Sequence, residues 1–399
     1  MRPGRCLSSR TFSAAAQALR ACALMGASLG AALVGADAAA QRVAFVNPGK
    51  VDEFYWSGVS RCMQSAAQSL GQTLEVHYAE REHLRVFQIA RAIAARPPSR
   101  RPEYVVVTND YGTGPELLNI FEGSGIQVFM AYSKPTAEEM TRTGTPRRKH
   151  RLWIGSLEPR AQDAGYLTAR ALIAEARAAG AQGPDGQLHL LVIAGDRSTP
   201  SSIARNEGMR QAVREAGDVV IDQEVYAAWS REKAAEQAAV LYQRHPQARL
   251  VWAGNDLMAF GAMSALEQRG GVPGRTAFFS GINTSAEALR AKESGRLAAL
   301  AGGHFITGAW SLVMIHDHHK GHDFADEGLM QERRMFALFD AKLAQALRAR
   351  LGPGCDHVDF KRFSKSHNPG LRAYDFSLER LLKDAPKSIE RHADERALP

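Results

Sequence analysis

From Val43 onward, short apolar runs alternate with stretches whose apolar residues recur every three or four positions. Seven runs read as strands: Val43–Val46, Tyr104–Thr108, Gln127–Ala131, Leu188–Ala194, Arg249–Ala253, Thr276–Ser280 and Leu297–Ala301. They are apolar at consecutive positions, the pattern of parallel strands covered on both faces. Helical periods lie between them. Val59, Cys62, Ala66 and Leu70 recur at spacings of three, four and four, and Gly71 is placed to stop that helix. Val86, Ile89, Ala90 and Ile93 mark the next helix, ahead of Pro97-Pro98. Thr284-Ser285-Ala286-Glu287 has capping-box spacing. The alternation predicts an α/β fold of Rossmann-like, doubly wound parallel sheets with right-handed crossovers. There are too many units for one small sheet, so two lobes are expected, with Ser133–Arg148 as a connection between them.

Polar and aromatic residues follow the strands. In open parallel sheets ligands bind beyond the carboxyl ends of the strands. Asp52, Glu53 and the triplet Phe54-Tyr55-Trp56 follow the first strand, and Asn109-Asp110 the second. Asp196 and then Arg205 follow Leu188–Ala194; Trp229 follows "EVYAA". Asn255, Asn283 and His304 follow the last three strands. A few placed polar groups and an aromatic wall suit a small-molecule pocket. The triplet is the most telling piece. Successive helical residues turn by about 100°, so three aromatics in a row cannot share one buried face.

Composition refines this reading. Hydrophobic residues make up 45% of 399 and charged residues 23%, which suits a packed globular chain. The first forty residues read as a secretory signal: Arg2 to Arg20 is positive, Ala21–Gly35 is apolar, and Ala36–Ala40 offers A-x-A cleavage sites. The apolar run is too short to span a bilayer. An exported, periplasmic protein starting near Gln41 is expected. Without those residues the formal charge of +8 falls to about +5. That is too diffuse for nucleic acid, and Arg147–Arg151 reads as a solvated loop. Cys62 and Cys355 remain, as a disulfide or as two separately buried thiols.

The aromatic run, "IARNEGMRQAV" (Ile203–Val213), "HPQARLVWAGNDLMAFGAMSAL" (His245–Leu266) and "SAEALRAKESGRLAAL" (Ser285–Leu300) resemble the type I periplasmic binding proteins, in their sugar-binding branch. "PGKVDEFYW" is similar to the autoinducer-2 receptors. The resemblance covers Val43 to Phe339 and implies two lobes, three hinge crossings and a ligand between them. The boundaries it implies are 1–40 signal peptide, 41–132 first lobe, 133–303 second lobe, 304–330 return to the first, 331–385 return to the second with a C-terminal extension, and 386–399 a disordered tail. It assigns Phe54 and Trp56 to ligand stacking, with Trp229 facing them across the cleft. Tyr55, Asn109, Asp110, Arg205, Asn255, Asn283 and His304 complete the expected ligand-binding set, Arg205 as a forked donor. Two departures stand out. Sugar binders have Asp where this chain has Asn283, and a long polar side chain where it has Gly303. A bulkier or less hydroxylated ligand is implied.

No phosphate loop, dinucleotide fingerprint, zinc-protease motif or nucleophile elbow is present. In "HDHHKGHD", His318 and His322 have metal-ligand spacing, but Lys320 intervenes and Gly321 looks like a helix stop. Basic groups closing a helix are the preferred account. No metal or cofactor is expected. The reading is a monomeric solute-binding protein serving an ABC transporter permease. A receptor for a membrane sensor kinase and an exported enzyme on the same scaffold are the alternatives; the signal occupies the place of a repressor's DNA-binding helices.

Overall fold

The computed structural model describes Met1 and residues 40–351 and 355–383. All but the ends of the expected signal, and the whole of the expected tail, lie outside the described residues. The first sheet has the order β11-β5-β4-β3-β1-β2, all neighbours parallel. Its strands are β1 (Gln41–Asn47), β2 (Gln72–Tyr78), β3 (Tyr104–Val107), β4 (Gln127–Ala131), β5 (Trp153–Pro159) and, returning late, β11 (Met330–Arg333). Helices α1 (Phe54–Leu70), α2 (His83–Ala94), α3 (Gly114–Phe121) and α4 (Ala137–Thr143) connect the early strands. In α1 the spaced residues Val59, Cys62, Ala66 and Leu70 are all buried, and Gly71 closes the helix at φ 69°. Truncating Leu70 there would cost about 2–5 kcal/mol.

The second sheet repeats the plan as β12-β10-β9-β8-β6-β7. It comprises β6 (Leu188–Ala194), β7 (Val219–Tyr226), β8 (Leu250–Ala253), β9 (Phe278–Ile282), β10 (Ala299–Gly302) and a short antiparallel β12 (Ala337–Leu338). Around it lie α5 (Ala161–Ala178), α6 (Pro200–Ala216), α7 (Arg231–Arg244), α8 (Asp256–Gln268) and α9 (Ala286–Glu293). Helices α5 and α6 touch backbone to backbone. A Cβ on Gly165 would stand 1.8 Å from the Arg205 carbonyl oxygen, and one on Gly208 2.0 Å from that of Gln162. Only glycine permits this approach, and it sets the depth of α6 in the lobe.

The boundary expected at 133 moves. Ser133–Arg148 stays in the first lobe, carrying α4 between β4 and β5, and the chain crosses only at Pro159–Ala161. The polar, glycine-containing "WIGSLEP" hid β5, although all seven residues are buried. Two further crossings follow, at Gly302–Thr307 and at Arg333–Ala337, the first leading into α10 (Thr307–His319). The cap of α9 also shifts by one: Ser285, not Thr284, accepts from the Ala288 amide, and Glu287 instead pairs with Arg231. The offset leaves Glu287 at the second helical position, unable to reach back to the cap.

The C-terminal extension adds two more passages. After α11 (Ala341–Leu351), which packs on α9 in the second lobe, Cys355 is bonded to Cys62 of α1 in the first. Residues 355–376 then lie over α1 and α10. Their anchor is Asp317, fully buried on α10, which accepts from Ser364 Oγ, Lys365 N, Ser366 N and Tyr374 Oη at 2.5–3.0 Å. Phe376 stacks on Trp310 at 5.1 Å. A last helix, α12 (Leu378–Lys383), returns to α11, and Leu378 packs beside Gly303, whose φ of 116° suits glycine.

Candidate functional site

The turn after β1 is fixed from within. Asn47, wholly buried, donates to the Trp56 carbonyl and to Ser60 Oγ at 3.1 and 2.9 Å, and its Oδ1 accepts from the Gly49 amide at 2.8 Å. This clamps the turn onto the first turn of α1, and the triplet splays. Trp56 goes down, 4% exposed, with its ring edge-on to Tyr55 and Tyr132. Tyr55 faces the cleft between the lobes. Phe54 points outward, 44% exposed, and does not border the cleft cavity. Its expected stacking role is therefore corrected: one turn of 100° separates it from Tyr55.

Two charged groups join from the first lobe. Arg81, in the turn after β2 with φ 64°, makes a partly buried ion pair with Glu53, Nε to Oε2 at 2.9 Å. Asp110 follows β3 and accepts from Ser133 Oγ at 3.2 Å. Burial pushes its carboxyl up to about 6, against the opposing pull of Arg81. Asn109 turns the other way. Its side chain holds Lys134 O, Glu139 Oε2 and the Gly114 amide, so it braces the lobe and leaves the cavity to its neighbour. Tyr111, at φ 59°, donates its amide across the cleft to Thr199 Oγ1 at 3.2 Å.

Arg205 comes from the second lobe, 6% exposed. Its Nη1 donates to the Gly254 carbonyl at 2.7 Å and its Nη2 to His304 Nε2 at 3.2 Å. The guanidinium lies 5.6 Å from the Trp229 ring centroid. Nε has no hydrogen-bond partner among the described residues. His304, in the second crossing, is sandwiched between Tyr55 at 5.0 Å and Phe336 at 4.4 Å. Burial and then the charge of Arg205 hold its imidazole well below the usual histidine range, so it is neutral. Trp229 Nε1 donates to Asp196 at 2.7 Å, which keeps Asp196 as a support for the ring and out of the cavity lining. Asn255 Oδ1 caps α8 through the Met258 amide at 2.8 Å, and Asn283 Nδ2 donates to Asp256 at 2.9 Å.

Eight expected residues thus border one cavity: Tyr55, Trp56, Asp110, Arg205, Trp229, Asn255, Asn283 and His304. Phe54 and Asn109 do not. Arg81, Tyr132 and Ser201 border it without having been anticipated, as does Glu53, noted after β1 but left out of the expected set. Tyr132 directly follows β4, so its strand-end position was a usable signal; Arg81 follows β2, which the apolar pattern did not reveal. As the lobes stand the cavity measures about 50 Å³, whereas small-molecule sites run from roughly 300 Å³.

The histidine run does not form a shared helix face. Helix α10 ends at His319, and Gly321 at φ 85° turns the chain before His322. His318 Nδ1 is 3.1 Å from Tyr104 Oη. Among the described residues no group of three or more His, Cys, Asp or Glu is placed to hold a metal, and no helix is long and apolar enough to cross a membrane.

Two α/β lobes with a polar and aromatic cavity at the switch points of both sheets define a cleft-type ligand-binding protein. The chain belongs to the periplasmic binding protein family: the family described as periplasmic binding protein domain matches residues 43–322. It is similar to the structure of a periplasmic sugar-binding protein from Pseudomonas fluorescens, 35% identical, covering 86% of this chain and 99% of that one with a TM-score of 0.77. An ABC transporter periplasmic solute binding protein from Actinobacillus succinogenes, solved with bound D-allose, shares the fold at 17% identity, 76% and 99% coverage and TM-score 0.64. A solute binding protein from Bacillus halodurans with bound myo-inositol does so at 18% identity, 78% and 98% coverage and TM-score 0.61. No curated protein matches the chain.

Proposed function

We propose that this protein works in the periplasm, closing around a small polar or sugar-like ligand and presenting it, as a monomer, to the permease of an ABC transporter. The observation that carries the reading is the convergence of Tyr55 and Asp110 from one lobe with Arg205, Trp229 and Asn255 from the other on one cavity. Polar groups placed among aromatic faces are what polyol recognition requires. Family membership and the Pseudomonas fluorescens sugar-binding relative support it. The cavity is too small for a sugar as it stands, so opening precedes binding. A ligand then shifts the lobes only as far as it prefers the closed form. The Tyr111–Thr199 hydrogen bond joins the two lobes as they now stand.

The test is native mass spectrometry of the protein purified from its own periplasm, followed by calorimetric titration with whatever small molecule is carried along. A carbohydrate released on denaturation and rebound on titration supports the assignment. A peptide, amino acid or nucleotide in its place overturns it.

A further inference from the structure

The cavity is bordered by a buried guanidinium, that of Arg205, with no directly bonded carboxylate among the described residues. The other guanidinium bordering it, that of Arg81, is paired with Glu53. Arg205 has no carboxylate paired with it among the described residues; its bonds go to a carbonyl and an imidazole. The nearby carboxylates are each engaged elsewhere. Glu53 holds Arg81, Asp196 holds Trp229 and the start of α6, and Asp256 holds Asn283 and the Leu257 amide. Asp110 accepts from Ser133. A buried cation without a bonded carboxylate is costly, and a ligand carboxylate would offset that cost.

Unspent hydrogen bonds point the same way. A guanidinium can only donate, so His304 Nε2 accepts from Arg205. In a neutral ring the proton then sits on Nδ1. That Nδ1–H, like Nε–H of Arg205, is buried and has no partner among the described residues. Two unused N–H donors, one of them cationic, therefore belong to residues that border the cavity. Asn283, which borders the cavity, is uncharged and gives its amide to Asp256. The site is donor-rich at its Arg205 and His304 end and keeps an acceptor at Asp110.

Resting on the sugar-like reading above, we propose that the natural ligand is a sugar acid, a uronic or aldonic acid, whose carboxylate is received by Arg205 and His304 while a hydroxyl is given to Asp110. A simple carboxylate would leave Asp110 unmatched, and a neutral sugar would leave Arg205 without a directly bonded carboxylate.

The test is calorimetric titration of the disulfide-bonded protein with matched pairs: D-glucuronate and D-gluconate against D-glucose, and D-galacturonate against D-galactose. At least one acid is expected to bind about 100-fold more tightly than its neutral parent, the worth of a desolvated charge-assisted contact. Arg205→Gln should reduce that ratio to below about 10-fold. His304→Phe keeps the stacking and removes both the second donor and the acceptor of Arg205 Nη2; it must also narrow the ratio, and it serves if Arg205→Gln does not fold. A neutral parent binding as tightly as its acid overturns the sugar-acid proposal and leaves the carbohydrate reading standing. If neither acids nor neutral sugars bind, the carbohydrate reading falls and takes the proposal with it.

Discussion

A guanidinium sealed from water is only as stable as the groups around it. Arg205 bridges the Gly254 carbonyl of its own lobe and His304 of the second crossing, so it is at once a ligand group and a brace. Arg205→Lys keeps the charge and loses the planar fork, and Arg205→Ala loses both. Both variants are expected to bind ligand less well, alanine by about 1.5–3 kcal/mol, in calorimetric titrations run beside melting curves. If lysine binds like the parent, the forked-donor role is wrong. Acid should act on the same residues. His304 is held neutral below the range in which an unfolded histidine titrates, near 6.5. Below that pH the unfolded chain binds the extra proton, so stability falls as pH drops. Asp110 opposes this. Its folded value is about 6 against 3.8 for the free group, so between those values the folded chain binds the extra proton and gains stability on acidification. Asp110→Asn removes only the second effect. Its melting temperature should therefore drop more steeply than the parent's from pH 6 to pH 4; parallel slopes would refute the balance.

At the scale of elements, what could be read from the chain depended on where each strand lies in its sheet. All seven anticipated strands formed, and all are interior or buried runs such as Leu188–Ala194, seven of seven buried. Edge strand β2 alternates polar residues, β7 carries Asp222-Gln223-Glu224 at its middle, and both are largely half-buried, so their apolar signal was too weak to stand out. Missing β2 is why Arg81 was missed, since a residue is placed at a strand end only once the strand is seen. Strand-end logic otherwise found most of the cavity, because ligand groups sit where a parallel sheet leaves polar backbone ends. It could not separate Asn109 from Asp110, or Phe54 from Tyr55, since one residue of rotation decides which side chain faces the cleft. The extension gave no periodic signal at all. It is held to α10 by the polar contacts of Asp317 and by Phe363 and Phe376 against Trp310. Asp317→Asn turns one acceptor into a donor facing donors. It should destabilise the protein by about 3 kcal/mol or more in urea melts and expose 355–376 to limited proteolysis. An unchanged urea midpoint would show that the extension is held by its apolar contacts alone.

For the molecule as a whole, five passages between the lobes replace the three expected from the family resemblance. Two belong to the extension, one of them ending at a covalent bond to α1. The Cys62–Cys355 link spans 293 residues of chain. Removing it by Cys355→Ser should cost about 2–5 kcal/mol, read as a lower midpoint in denaturant. Ligand addition should change tryptophan fluorescence, since Trp56 and Trp229 border the cavity from opposite lobes. A silent emission spectrum alongside calorimetric binding would place the ligand elsewhere.

The same link sets an order of events during synthesis. A chain emerges amino end first, and the helix bearing Cys62 is made early, while its partner follows almost 300 residues later. Until then the first lobe lacks the stretch that covers Trp310, and for most of that span β11 and α10 as well, and its lone thiol is open to any oxidant or passing cysteine. Growing chains halted before Cys355 should be quantitatively alkylated at Cys62, whereas finished chains should resist. The lobe that starts the molecule is thus among the last parts of it to be completed.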